Sequence, residues 1–71
     1  MKGAQRMNTR EQAIRRNIAD YRKEIEIYDN LLEYAHKYNI FGDIEYYGEL
    51  RRFTLRKIER AEQELQEFRT A

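Results

Sequence analysis

At 71 residues the chain can make one domain at most, and it is too short to enclose a large core or a deep pocket unaided, so a second subunit is expected to share the burial. Charged residues make up 38% and Pro, Cys, Trp, Ser and Val are absent, a composition of long helices rather than sheets that excludes disulfides, thiolate zinc sites and nucleophilic catalysis by Ser or Cys. A net charge of only +1 speaks against a polyanion as the default partner.

The N-terminal "MKGAQRMNTREQ" has no apolar stretch of the signal-peptide kind, and the longest uncharged run, Tyr38 to Gly42, is far too short to cross a bilayer. A cytoplasmic protein without a membrane role is expected. Residues 1–8 read as a flexible N-terminus ahead of a single α-hairpin domain spanning 9–71.

The first helix is expected over about 9–38. Ile14, Ile18, Tyr21, Ile25, Tyr28, Leu32 and Ala35 recur at alternating spacings of four and three, a heptad seam along one side of a long amphipathic helix. "TREQ" offers a start, with Thr9 as cap and Gln12 placed to reach back to it. Asn39 is the expected stop, because Asn tolerates the left-handed conformation that ends helices and Ile40 can then fold back on the last turn. A turn over about 39–43 follows, with Asp43 as N-cap of a second helix over about 44–69. That helix carries its own seam of Ile44, Tyr47, Thr54, Ile58, Ala61, Leu65 and Phe68. So short a connection makes the helices antiparallel.

Charge supports this pairing. Residues 2–23 carry +5, 24–49 carry −6, 51–60 carry +4 and 61–71 carry −2. Folding the chain near residue 41 sets Arg15 and Arg16 level with Glu64 and Glu67, Arg22 and Lys23 with Glu59 and Glu62, and Glu24, Glu26 and Asp29 with Arg52, Arg56 and Lys57. Each exposed pair contributes roughly a few tenths of a kcal/mol, but together they penalise other registers through like-charge contacts.

The hairpin seam leaves apolar residues over. Ile27, Leu31, Tyr34 and Tyr38 form a second row on helix 1, and Tyr46, Leu50 and Phe53 a matching row on helix 2. Seam and second row make an arc of about 160°, too wide for one partner helix. Leaving these rows in water forgoes on the order of ten kcal/mol. The expected cover is a second copy, giving an all-α four-helix bundle with Ile27, Leu31, Tyr34, Leu50 and Phe53 at the dimer interface. Gly48, inside helix 2, is read as a place where another backbone or ring comes close. Near the turn Tyr38, Phe41, Tyr46 and Tyr47 lie among Glu33, Asp43, Glu45 and Glu49, with Lys37 the only base between Glu24 and Glu49. Tyr38, Phe41, Asp43, Glu45, Tyr46 and Tyr47 are therefore the candidate contacts for a second protein with a basic surface.

No enzyme and no cofactor are expected, since no glycine-rich phosphate loop exists either. Glu33-x-x-His36 has the spacing of carboxylate-bridged di-iron bundles, with Glu49 at a similar height, but it falls outside the apolar arc and reads as a solvated pair. Arg6, Arg10, Arg15, Arg16, Arg22 and Lys23, with Arg51, Arg52, Arg56, Lys57 and Arg60, give an alternative reading as a nucleic-acid-binding accessory protein. Against it, the register sets acids opposite each basic block. A membrane-surface helix is disfavoured because the bases do not share one face. "AHKYNI" followed by "GELR" resembles in part the small helical-hairpin phosphatases that act on sporulation response regulators, whose second helix opens with Ser-Gln-Glu-Leu-Asp. Glu49 and Leu50 match that motif, while Tyr47 and Arg51 replace its Ser and Asp. The spacing from the turn is shorter and helix 2 longer, so the likeness stops at these residues. The expected function is a non-catalytic protein-interaction module: a regulator, inhibitor or assembly factor.

Overall fold

A computed structural model describes the backbone of residues 9–70 and the side chains of residues 9–68. The segment expected to be flexible, 1–8, lies outside the described residues. The described residues form two helices, α1 (Thr9–Lys37) and α2 (Phe41–Thr70), packed antiparallel as a hairpin. Thr9, the first described residue, is already helical rather than the cap expected of it.

The reversal is tighter than the sequence suggests. Asn39 sits at φ 55°, the left-handed residue that Asn accommodates because its short polar side chain lowers the usual penalty. The Ile40 amide then donates to the Ala35 carbonyl at 2.9 Å and the Asn39 amide to the His36 carbonyl at 3.3 Å. These two bonds make a Schellman ending for α1. Ile40 serves twice, since its own carbonyl accepts the first bond of α2, from the Ile44 amide at 3.0 Å. Ile40 therefore holds the N-cap position expected for Asp43, and α2 starts at Phe41 rather than near residue 44. Asp43 falls inside the first turn, where its carboxylate still faces the positive end of the helix dipole.

Both seams lie where the heptads put them. Ile14, Ile18, Ala35 and Ile58 are buried, and Tyr21, Ile25, Tyr28, Leu32, Ile44, Tyr47, Ala61, Leu65 and Phe68 are half-buried. Ala35, 1% exposed, lets the helices approach closely beside the turn. Continuing the helix 2 seam between Tyr47 and Thr54 brings in Arg51, which the apolar pattern passes over. Arg51 donates to Asp29 at 2.6 Å, and Thr54, 3% exposed, donates its hydroxyl to Glu24 at 3.3 Å. The middle of the seam is thus polar and satisfied, which fixes register at some cost in hydrophobic burial.

Cross-helix partners centre the fold-back on Ile40, one residue before the expected point: Asp29 meets Arg51, Glu24 meets Thr54 and Arg22 bonds Glu62 at 2.9 Å. The Arg22–Glu62 pair is the expected one. Arg15 instead bonds Glu11 one turn away in its own helix, and Glu64 pairs with Arg10. These pairs, with Arg51–Asp29, are solvent-exposed enough to tune register more than stability.

The hairpin measures 56 × 21 × 11 Å, so it is one helix thick. Among the described residues no large side chain is fully buried. A single layer can cover only the seam between its helices, and both broad faces stay open.

Candidate protein-interaction face

The second rows fall on one face. At about 100° per residue, Leu31 and Tyr38 lie about 60° to one side of the seam residues Tyr28 and Ala35, and Leu50 lies at the same offset from Tyr47. Equal offsets on two antiparallel helices point to the same broad face. Folding about Ile40 then sets Ile27 level with Phe53, Leu31 with Leu50 and Tyr34 with Tyr46. Two contacts trace the same edge: Arg10 to Glu64, and the Lys57 ammonium 5.5 Å from the Tyr21 ring centre and 4.8 Å from that of Phe53.

Ile27 (56%), Tyr34 (60%), Tyr38 (55%), Tyr46 (60%) and Phe53 (55%) are largely exposed, while Leu31 and Leu50 are half-buried between them. Their rings are already ordered. Tyr34 and Tyr38 sit 4.7 Å apart, Tyr46 meets Tyr47 edge-on at 5.2 Å, and Tyr47 stacks on Tyr28 across the seam at 6.4 Å. Ring pairs of this geometry hold their members in place before any partner arrives, which reduces the side-chain entropy lost on binding.

The six candidate contacts near the turn divide. Tyr38 and Tyr46 belong to the apolar face. Tyr47 is half-buried in the seam and supports Tyr46 from below. Phe41, 73% exposed, stands about 140° around α2 from Tyr46, on the opposite broad face. Leu55, also exposed, lies two heptads further along α2, with Gly48 midway between them. No atom outside its own helix lies within 4 Å of a Cβ built on Gly48, so the close approach expected at that glycine is not supplied by the hairpin itself.

Asp43 and Glu45, together with Glu33 and Glu49, are exposed, and none of the four is ion-paired among the described residues. Lys37 lies over the Tyr38 ring at 5.5 Å. The turn end thus keeps an uncompensated negative charge. Glu49 instead borders a shallow groove on α2 with Tyr46, Leu50, Arg52, Phe53 and Arg56. Glu33, His36 and Glu49 are not gathered: among the described residues no three His, Cys, Asp or Glu side chains come together as a metal site. No described helix is long and apolar enough to cross a membrane.

Sequence reasoning assigned both rows to one interface without locating it on the hairpin; the offsets from each seam and the register about Ile40 give its position. No protein-family model, curated protein or solved structure matches this chain.

Proposed function

We propose that this chain is a non-catalytic protein-interaction module, a regulator, inhibitor or assembly factor, whose apolar face pairs with a second copy in a four-helix bundle and whose acidic turn end engages another protein. The observation that supports this reading is the continuous exposed face of Ile27, Leu31, Tyr34, Tyr38, Tyr46, Leu50 and Phe53 on a hairpin one helix thick. Pre-ordered aromatics of this kind are the residues that carry binding energy at protein interfaces. Unpaired carboxylates at Glu33, Asp43, Glu45 and Glu49 favour a basic partner surface by steering.

The test is capture from the native host with the wild-type chain and with the double variant Phe41→Ala, Asp43→Lys, identified by mass spectrometry. A protein held by the wild type and lost by a variant of unchanged melting temperature supports the reading. A variant that keeps both its melting temperature and its partners removes the turn end from the proposal.

A second reading, nucleic-acid binding, draws on one observation. Arg52, Arg56 and Arg60 carry no ion pair among the described residues and run along α2 at four-residue spacing, beside the exposed rings of Tyr46 and Phe53. Arg10, Arg22 and Arg51 are held by Glu64, Glu62 and Asp29, which removes much of the basic density the sequence displays.

A further inference from the structure

Followed toward the open end of the hairpin, the apolar face turns into charge. The row on α1 continues backwards from Ile27 through Glu24 to Asp20, and the row on α2 continues forwards from Phe53 through Lys57 to Arg60. Acid lies on one helix and base on the other. Asp20 and Arg60 are both exposed and neither is ion-paired among the described residues. Because the chain folds back about Ile40, they stand at the same height.

We infer that a second copy closes on this face about a two-fold axis parallel to the helices, with both turns at one end and α1 of each copy lying over α2 of the other. The inference rests on the reading of this face as a dimer surface and specifies its symmetry. Such an axis keeps heights and exchanges helices. Ile27 then faces Phe53 of the partner subunit, Leu31 faces Leu50 of the partner subunit, and Tyr34 faces Tyr46 of the partner subunit. Asp20 falls over Arg60 of the partner subunit, twice by symmetry, and Glu24 falls near Lys57 of the partner subunit. The face is complementary to itself in this arrangement along its whole length.

The other two-fold that brings these faces together runs across the helices and stacks each helix on its own counterpart. It points the two open ends in opposite directions and must slide the copies to superpose their apolar halves, so the match of Asp20 to Arg60 is lost. The parallel axis also overlaps the helices along their whole length of about 45 Å at 1.5 Å per residue, which across a 21 Å width exceeds the about 800 Å² per partner of a standard interface.

Two measurements test the symmetry. The described chain has no cysteine, so a spin label on Gln63→Cys, exposed near the open end, reports one distance in the dimer. The parallel axis gives roughly 20–30 Å, two bundle-helix spacings plus the label, whereas the crossing axis separates the labels by about 45 Å or more at 1.5 Å per residue. Sedimentation equilibrium supplies the second. Asp20→Arg and Arg60→Asp each weaken dimerisation about tenfold through two like-charge contacts, and the two together restore it to within about threefold. A long label distance, or single reversals that leave association unchanged, overturns the parallel arrangement while the dimer itself stands. A wild type that stays monomeric at tens of micromolar overturns the arrangement and the dimer together, leaving the turn-end reading to its own capture test.

Discussion

Gly48→Ala is the substitution whose effect follows most directly from the structure. Gly48 lies well inside α2, has no positive φ, and has no atom outside its own helix within 4 Å of the added methyl group. Alanine therefore brings no clash and no new packing. What changes is the chain: glycine inside a helix costs about 0.8–1.0 kcal/mol relative to alanine, mostly as extra freedom in the unfolded state. In a chain of this size 1 kcal/mol moves the melting temperature by about 4–8 °C. Dimerisation leaves that shift nearly unaltered, because the gain and the unfolding entropy both double. Thermal unfolding followed by circular dichroism, at one fixed protein concentration for both chains, reads it directly. A rise of about 4–8 °C is the expected result. A fall refutes the reasoning, because it means that something outside the hairpin presses on Gly48, and the covered face would then be the one with Phe41 and Leu55 rather than the one with Tyr34 and Tyr46.

Asn39 at φ 55° makes a second test: Asn39→Gly should hold or raise the melting temperature, and Asn39→Val should cost about 1–2 kcal/mol because a β-branched side chain is strained in the left-handed region. Leu31→Glu places a charge in the middle of the apolar face and should leave a helical monomer at tens of micromolar in sedimentation equilibrium; a variant that still dimerises means that another surface joins the copies. Binding isotherms with DNA and RNA at about 150 mM salt should show only weak, unspecific affinity, since phosphate contacts of a few arginines are screened there. Sub-micromolar binding lost in Arg52→Glu with Arg56→Glu would promote the nucleic-acid reading. Arg51 is unsuitable for that test, as it holds Asp29 in the seam.

The hairpin was legible because its signals agree at every level. Spacings of three and four persist along both helices, Asn39 marks the reversal, and Arg22 and Glu62 have opposite charge at matching heights. The start of α2 was not legible, because Asp43 is as good an N-cap as any residue near the turn. Ile40 holds that position only because the Schellman bonds of α1 place its carbonyl there. Arg51 was missed in the seam for a similar reason. A polar residue at a seam position looks like a gap in the pattern until Asp29 is found opposite it.

The sequence by itself determined that the chain is two long amphipathic helices with more apolar surface than one hairpin can bury, because periodicity and composition are local properties that any fold of this chain inherits. Only the tertiary structure decided where that surplus lies. Antiparallel pairing about Ile40 carries the two second rows to one face, sends Phe41 to the other, and sets Asp20 level with Arg60. Those relations are between residues far apart in the chain, and they exist only once the register of one helix against the other is fixed by the seam.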